Sequence, residues 1–438
     1  CILLTGGDVD KVYIHHASDP LSDGYAHTAF GVYLYYQHNN DLKAAVKEAA
    51  LLLNMDYKKP PEDETLLEQG NEVANTFLNA NVVELKPVQV DTVKIDCKLP
   101  VESLNEVAAW IKGQIGTAPK YSIIQATLSF ACAMSSRCVR LKDGTASSAF
   151  LAIVADSAGQ IQPLKGILNS AIDACGDRQI IRGTKISSST CLHKQLLTMP
   201  RMFWATDDYA TMINFGKKQQ SGAIQGALSA INEVYLNNTL YLDKDSIGAS
   251  FGKKDGDGDK HISEYNIYRP SLTMLSLMSY KHIDFVAQRD QYSIGSLQRL
   301  MIADGGDSVT CERDFDAPFP TNVKYVVSSI KKTGSEFIDI ASMNPTQKIA
   351  VFDCDNTATL FTHSLNRIKA TCSSDERKDL LGVALGWCGS FKRLCVALGA
   401  FNKPTSPTIN EAIVQWCSNW IVFHLEKLLS RLEINGLD

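Results

Sequence analysis

The sequence predicts an α/β protein in which helices cover a mostly parallel sheet. Between residues 101 and 310, apolar runs of strand length alternate with segments of helical periodicity. This alternation is typical of parallel strands joined by crossover helices. One of the apolar runs, at 201–206, ends in two acidic residues, Asp207 and Asp208. A small α/β unit is expected before this region and a helical domain after it.

Length and composition limit the possible classes of protein. A chain of 438 residues exceeds one hydrophobic core, so two or three domains are expected. Apolar residues make up 45% and charged residues 21%, as in ordinary globular proteins. The net charge of −5 excludes a globally basic nucleic-acid coat but permits DNA binding through local lysines and arginines.

Cysteine usage and hydropathy indicate the compartment. The 12 cysteines show no CxxC pair and no zinc-finger spacing, so they are expected to be reduced thiols of a cytosolic protein. No apolar run of transmembrane length and no signal peptide is found, which favours a cytoplasmic location without a membrane partner. Because the chain starts at Cys1, we expect it to be part of a longer polypeptide.

Five segments are predicted along the chain. Residues 1–56 form a small unit with a strand at 11–14 followed by two helices, and residues 57–100 form a linker that is rich in Pro and charge near its start. Residues 101–310 form the core, 311–365 connect it by short strands and loops, and 366–438 form a helical domain. In the core, helices are predicted at 102–115, 121–136, 163–175, 189–198 and 222–236, and strands at 148–155, 179–182, 201–206 and 271–278.

The last helix has a predicted start and a predicted buried face. Thr408-Ile409-Asn410-Glu411 has the residue types of a capping box, in which the first and fourth side chains bond to backbone N–H groups. Behind it, apolar side chains recur at steps of three and four, which is the period of an amphipathic helix. These side chains are Ile413, Trp416, Trp420 and Phe423.

The first candidate site is a turn between a strand and a helix. The apolar run Phe150–Ala155 is followed by small residues, with Gly159 in the place of the last glycine of a phosphate-binding loop and Pro163 suited to a first helical turn. Such a loop continues with Lys, which reaches the β/γ-phosphates, and with Ser or Thr, which holds Mg²⁺. This chain has Gln160 and Ile161 instead. The candidate ATP contacts are Ser157, Ala158, Gly159, Gln160 and Ile161.

The second candidate site follows the strand at 201–206. An apolar strand that ends in two carboxylates has the outline of a Walker B element, in which Asp207 would hold Mg²⁺ through water and Asp208 would polarise the attacking water. The alternative is a strand that ends in a solvated turn. We expect this strand beside strand 148–155 in one parallel sheet, with both polar ends at the carboxyl edge.

Two further residues complete the candidate catalytic set. Ser279 ends the apolar strand 271–278, where P-loop ATPases carry a small polar residue that senses the γ-phosphate; the alternative is an ordinary core strand. Arg299 lies in an otherwise apolar stretch and needs an anionic partner. The phosphates of a neighbouring subunit would make it an arginine finger. A structural salt bridge is the alternative.

Three other patterns point to different chemistry. Asp353 and Asp355 match the DxDxT motif of haloacid dehalogenase-like phosphatases, although the residues that follow are predicted to be helical. Residues 255–260 are similar to a calcium loop, but Lys260 occupies the position of its required Gly. The histidines and aspartates between His15 and His27 fit no standard metal spacing.

The order of these motifs resembles a known family. Residues 15–30 and 41–46 look like the region between the primase and helicase parts of phage and plasmid primase-helicases, and the four core motifs look like their DUF3987-type P-loop ATPase domain. The resemblance implies a P-loop NTPase sheet of the RecA/AAA-like class, ATP and Mg²⁺ as cofactors, and a homo-oligomeric ring on single-stranded DNA. A primase module would precede Cys1. The family has Gly-Lys-Ser/Thr where this chain has Gly159-Gln160-Ile161.

Three functions follow as hypotheses. The first is the helicase part of a phage or mobile-element replication protein, possessing loop lysines that neutralise DNA phosphates without reading sequence. These candidates are Lys217, Lys218, Lys253, Lys254 and Lys260. The second is an inactive P-loop scaffold that assembles with a replication partner, favoured by the absent loop lysine. The third is a phosphatase acting through Asp353 and Asp355.

Overall fold

A computed structural model describes most of the chain after residue 94 and three short strands before it. The described residues are 2–4, 11–13, 26–28, 95–156, 158–183, 185–207, 209, 211–213, 222–242, 266–281, 296–334, 337–373, 377 and 380–435. The chain divides into two compact units, Cys1–Lys86 and Pro87–Asp438. The sheet and the C-terminal helices, which the sequence assigned to separate domains, therefore lie in the same unit.

In the first unit the described residues form an antiparallel sheet. Its strands are β1 (Ile2–Leu4), β2 (Lys11–Tyr13) and β3 (Ala26–Thr28), with β2 in the middle. The strand predicted at 11–14 is thus confirmed, one residue shorter. The two helices predicted after it lie outside the described residues.

The second unit alternates strands and helices. Its strands are β4 (Thr117–Pro119), β5 (Val139–Arg140), β6 (Phe150–Ala155), β7 (Arg201–Thr206), β8 (Thr239–Leu240), β9 (Ile267–Tyr268), β10 (Ser271–Ser279), β11 (Leu300–Asp304), β12 (Ser308–Thr310), β13 (Lys348–Ile349), β14 (Val351–Phe352) and β15 (Thr408–Ile409). Its helices are α1 (Glu102–Ile115), α2 (Lys120–Ser135), α3 (Ala158–Ile161), α4 (Pro163–Ala174), α5 (Ser189–Thr198), α6 (Gly222–Leu236), α7 (Ser296–Arg299), α8 (Thr321–Gly334), α9 (Asp355–Ala370), α10 (Leu381–Asn402) and α11 (Glu411–Asn435).

A four-stranded parallel sheet organises this unit. Its strand order is β11-β6-β10-β7, and each neighbouring pair is parallel. The prediction of an α/β protein with a parallel sheet and flanking helices is confirmed. The strands that end near Asp156 and Asp207 share this sheet, but they are not neighbours because β10 lies between them.

Helices cover both faces of the sheet. Every residue of β6 and of β7 is buried, which requires cover on both sides because side chains alternate along a strand. Helix α2 is buried along nearly its whole length. Its Gln125 Nε2 donates to the carbonyls of Ala152 (3.3 Å) and Met301 (3.1 Å), and its Oε1 accepts from Trp420 Nε1 at 3.2 Å. One amide therefore joins α2 to β6, β11 and α11.

Helix α10 is apolar enough to compare with a membrane span. Among the described residues it alone has the length and hydropathy of such a span, and 61% of its apolar window is buried inside the fold. It packs against α2, α9 and α11. The cysteines in the described part of the chain are free thiols, as the sequence predicts.

Two local predictions are wrong. Residues 179–182 form a 3₁₀ turn at Arg178–Ile180 and a single parallel bridge from Ile181 to Phe203, so the strand is reduced to one residue at the edge of β7. The cap of α11 is Asn410, whose Oδ1 accepts from the N–H of Ile413 at 3.0 Å. Thr408 belongs to β15, which pairs with β14, so this pairing takes it out of the capping position.

A buried ion cluster anchors the start of β7. Arg201 and Asp177 are both fully buried, and Arg201 Nη2 lies 3.0 Å from Asp177 Oδ1 and 3.2 Å from Asp339 Oδ1. Lys331 Nζ approaches the same Asp177 oxygen at 2.8 Å. The cluster therefore joins β7 to the 3₁₀ turn, to α8 and to the loop after α8.

We expect Asp177→Asn to destabilise the fold strongly. The substitution keeps the side-chain volume but removes the charge that two cations share, and breaking a buried pair costs about 3–5 kcal/mol. Urea denaturation measures the free energy of unfolding. Asp143→Asn is the matched control, because Asp143 forms an exposed pair with Lys392 whose loss should cost about 0–1 kcal/mol. Equal losses in the two variants would contradict the anchoring role.

Candidate functional site at the carboxyl edge of the sheet

The carboxyl ends of the four parallel strands bring polar side chains to one edge. In the register of the sheet, Ser279 lies beside Ala155 and Asp304 beside Val154. Asp156 and Asp207 directly follow β6 and β7 and are exposed. Loops at this edge of an open parallel sheet are the usual place for a ligand. We call this set of residues the carboxyl-edge site.

The turn after β6 leads into an almost continuous helix. Helix α3 begins at Ala158, and Gln162, between α3 and α4, has helical dihedral angles of φ −56° and ψ −37°. The interruption at this point follows from Pro163, the first residue of α4, which has no N–H to donate. The predicted strand is confirmed, but the helix starts at Ala158 and not near Pro163, so Gly159, Gln160 and Ile161 lie in α3 and not in a loop.

The two residues that replace the Lys-Ser/Thr pair have different environments. Gly159 and Gln160 are exposed, whereas the side chain of Ile161 is fully buried in the core. A side chain at position 160 can thus reach a ligand in solvent. The side chain at position 161 packs inward, where a hydroxyl that coordinates a metal would not serve. Of the two replaced positions, only 160 is thus open to a ligand, whereas 161 belongs to the core.

One hydrogen bond links the junction of α3 and α4 to the residue that follows β7. Gln162 Nε2 donates to Asp207 Oδ2 at 3.4 Å across the end of β10. The expectation that the turn and Asp207 share one edge is thereby confirmed, although their strands are separated. Ser157 and Asp208, the other predicted members of these motifs, lie outside the described residues.

Ser279 and Tyr280 end the strand between the two motifs. Ser279 is half-buried and pairs with Ala155, close to the turn. Tyr280 donates its hydroxyl to Asp304 Oδ2 at 2.8 Å. Burial raises the pKa of Tyr280, and so do the hydrogen bond to Asp304 and the charges of Asp304 and Asp156, while Arg431 lowers it. The phenol is therefore held neutral.

Sequence reasoning missed Asp304 and the cations around it. Lys427 Nζ lies 3.5 Å from Asp304 Oδ1, which also accepts from the N–H of Gly306 at 2.9 Å. The guanidinium of Arg431 lies 4.4 Å from the centre of the Tyr280 ring. Both cations come from α11, more than 120 residues after Asp304, so only the fold reveals them. Asp304 itself ends an apolar run, the same signal that identified Asp207.

Arg299 lies at the other end of the sheet. It ends α7 directly before Leu300, which pairs with Phe150 at the amino end of β6. Burial lowers the pKa of Arg299, while Tyr235 and Tyr209 raise it. Within its own subunit it is thus a strand's length away from Asp207. A role toward the site of a neighbouring subunit stays a prediction.

The structure also locates the residues of the alternative chemistries. Among the described residues, no group of three or more His, Cys, Asp or Glu side chains could hold a metal ion. Asp353 follows β14 of a two-stranded sheet and accepts from Thr357 Oγ1 at 2.6 Å, and Asp355 begins α9. The calcium-loop pattern at 255–260 lies outside the described part. So do the predicted DNA contacts Lys217, Lys218, Lys253, Lys254 and Lys260.

Comparisons with known proteins find no relative for the chain. No protein-family model, no curated protein and no solved structure matches it.

His424 holds the backbone of Asp304, a residue of the carboxyl-edge site, from the buried side. It is fully buried on α11, and its Nδ1 accepts from the backbone N–H of Asp304 at 3.2 Å. Burial lowers the pKa of His424 well below its ordinary value, and the charge of Lys427 lowers it further. The imidazole is therefore neutral in the folded protein and holds the end of β11 as an acceptor.

We expect His424 to make the fold sensitive to acid. Since its pKa is depressed in the folded state, it contributes stability that is present above the unfolded pKa of about 6.5 and is lost as pH falls. Between pH 7.5 and 5.5 the loss should be about 1.4 kcal/mol larger in the natural protein than in His424→Asn. Urea denaturation at both pH values measures this difference. His363→Asn, at an exposed position, should retain the full loss.

Proposed function

We propose that the chain is the ATP-binding helicase portion of a phage or mobile-element primase-helicase, with a P-loop NTPase sheet of RecA/AAA-like type. The supporting observation is the carboxyl-edge site. Gly159 at the start of α3, Asp207 and Ser279 lie near the carboxyl ends of three strands of one sheet, and Gln162 between α3 and α4 donates to Asp207.

ATP would bind with its phosphates at the turn before α3. Backbone N–H groups at the start of a helix point toward such a ligand and favour negative charge there. Mg²⁺ accepts one or two carboxylates together with phosphate oxygens and water, so the exposed Asp207 suits it. The hydroxyl ligand does not fit, because Ile161 is buried where Ser or Thr would be needed. The residues therefore support nucleotide binding better than hydrolysis.

A catalytically inactive scaffold is the second candidate. The observation that favours it is again Ile161. This residue stands where the metal-binding hydroxyl would be, and its side chain packs in the core. Such a protein would bind ATP to hold a conformation and would assemble with an active replication partner. Turnover of ATP, with and without single-stranded DNA, separates the two candidates.

The remaining parts of the proposal concern partners. A translocase of this kind would form a homo-oligomeric ring around single-stranded DNA in the cytoplasm, together with a primase module. Arg299 would face the nucleotide of the neighbouring subunit. The net charge of −5 opposes DNA binding outside a local channel, so the loop lysines carry this part of the proposal.

We expect Gln160→Lys to strengthen ATP binding. Position 160 is exposed, so the added ammonium group can reach the phosphates without disturbing the core. Titration with a fluorescent ATP analogue should show affinity about tenfold higher, since one charge-assisted hydrogen bond contributes about 1.5 kcal/mol. Adding Ile161→Ser should raise turnover only if the serine hydroxyl turns out of the core toward the metal, and it removes a buried side chain at a cost of about 2–5 kcal/mol.

Asn344→Lys is the matched control for Gln160→Lys. It adds the same charge at an exposed position in the loop before β13 and should leave ATP affinity unchanged. Equal affinity in the natural protein and in Gln160→Lys would contradict a phosphate site at this turn. Tighter binding by Gln160→Lys, but no turnover in the folded double variant, would favour the scaffold.

We expect Lys217→Ala combined with Lys218→Ala to weaken single-stranded DNA binding equally for all sequences. Each lost phosphate contact should reduce the slope of log affinity against log salt by about 0.7, so the pair should reduce it by about 1.4. Fluorescence anisotropy over a salt series measures this slope. The exposed pair Lys332→Ala and Lys348→Ala is the control of equal charge. An unchanged slope in the first variant would remove this loop from the DNA path.

A further inference from the structure

A polar cavity lies at the amino edge of the sheet, away from the carboxyl-edge site. It has a volume of about 170 Å³ and is bounded by Ser148 before β6 and by Pro270 and Ser271 at the start of β10. Its charged and amide-bearing walls are Arg137, Arg269, Arg393, Asp143 and Gln347. We call it the amino-edge cavity. Nothing in the proposed ATPase chemistry uses it.

The charges around this cavity do not balance. Its carboxylate, Asp143, is already bonded to Lys392 at 2.8 Å and to the N–H of Thr145 at 2.9 Å. None of Arg137, Arg269 and Arg393 has a carboxylate partner in the part of the chain that the structure describes. Three guanidinium groups on one small cavity, whose one carboxylate is already paired with Lys392, repel one another and lose hydration.

Arg137 is the buried member of the three. Its side chain is 0% exposed, and its backbone has a positive φ of 60°, which an L residue rarely adopts. Nη2 donates to the carbonyls of Phe337, Ile340 and Met343 at 3.1–3.3 Å, while Nε and Nη1 have no hydrogen-bond partner. Burial lowers the pKa of Arg137 to about 10, and Arg201 lowers it while Asp339 raises it.

The other two arginines bond only to neutral oxygens. Arg393 donates to the carbonyls of Ser148 and Tyr235, both at 2.7 Å, and its guanidinium lies 3.9 Å from the centre of the Tyr235 ring. Arg269 donates to the side-chain oxygen of Asn238 and, like Arg137, has a positive φ. These contacts fix the orientation of the guanidinium groups and leave their charge without compensation.

Unpartnered neutral groups complete the wall. Gln347 is more than nine-tenths buried, and neither its amide nitrogen nor its amide oxygen has a hydrogen-bond partner. The Ser271 hydroxyl is buried and unpartnered as well. Buried polar groups normally have partners, so their concentration beside three arginines favours binding of a ligand with several acceptor oxygens.

We propose that the amino-edge cavity binds a phosphate group, either inorganic phosphate or the terminal phosphate of a small monoester. Tetrahedral oxyanions accept several hydrogen bonds at once, and arginine is the side chain best suited to them. Because Arg137 is fully buried, the anion must enter the cavity to meet it. A terminal phosphate can do so, whereas the phosphodiester of a continuous strand carries a substituent on each side.

Thermal unfolding and calorimetry with inorganic phosphate test the proposal. At constant pH and ionic strength, phosphate should raise the Tm of the natural protein by about 2 °C or more over chloride, with saturation. Arg269→Gln should lower the calorimetric affinity about tenfold or more, the equivalent of one charge-assisted hydrogen bond. Arg178→Gln removes an exposed arginine outside the cavity and should bind phosphate normally.

A second variant supplies the anion from the protein itself. Gln347→Glu places a carboxylate among the arginines, so it should raise the Tm without phosphate and abolish the response to phosphate. This variant keeps the test valid if Arg269→Gln folds poorly. Since both positions lie at the amino edge, their effects are also distinguishable from phosphate binding at the turn before α3.

Three results would overturn the proposal. The first is a natural protein that phosphate stabilises no more than chloride does. The second is an equal response to phosphate in Arg269→Gln and Arg178→Gln, which would mean that phosphate acts elsewhere. The third is equally tight binding of dimethyl phosphate and inorganic phosphate. The cavity would then accept a phosphodiester, and the proposed restriction to a terminal phosphate would be wrong.

Discussion

Burial of the parallel sheet on both faces is the constraint on which the second unit depends. Strands β6, β7, β10 and β11 are almost entirely buried, so neither face of this sheet can be left to water. Helix α2 is consequently buried nearly all round, and the C-terminal helices α10 and α11 pack onto the same core. Gln125 joins these layers because its amide satisfies two strand carbonyls and the indole of Trp420 together.

With both faces closed, polar chemistry is confined to the two edges, and the two edges differ in charge. The carboxyl edge carries Asp156, Asp207 and Asp304, and the cations near it come from α11. The amino edge carries three arginines around a cavity with one carboxylate that is already paired. A phosphate at the first edge depends on backbone N–H groups and a metal ion, whereas at the second it depends on guanidinium groups.

Local patterns predicted the elements well where one physical effect dominated. Helices α1, α5 and α6 begin and end at the predicted residues, because helical periodicity and flanking turns agree there. Prediction was wrong where a tertiary contact competed. Thr408 joins a strand pair with β14 and leaves the cap to Asn410, and Ile181 bonds to Phe203 at a single position. Asp304 could have been identified from its apolar run, but Lys427, Arg431 and His424 could not.

The sequence by itself determined the α/β class, the positions of most strands and helices, and a glycine turn without the lysine and hydroxyl of a phosphate-binding loop. These features depend on the order of neighbouring residues, which short-range periodicity and turn chemistry record. Only the tertiary structure decided that β10 separates β6 from β7, that Ile161 points into the core, and that Arg137, Arg269 and Arg393 share one cavity. Strand order and convergence of distant side chains depend on long-range pairing and burial, which leave no periodic signal in the chain.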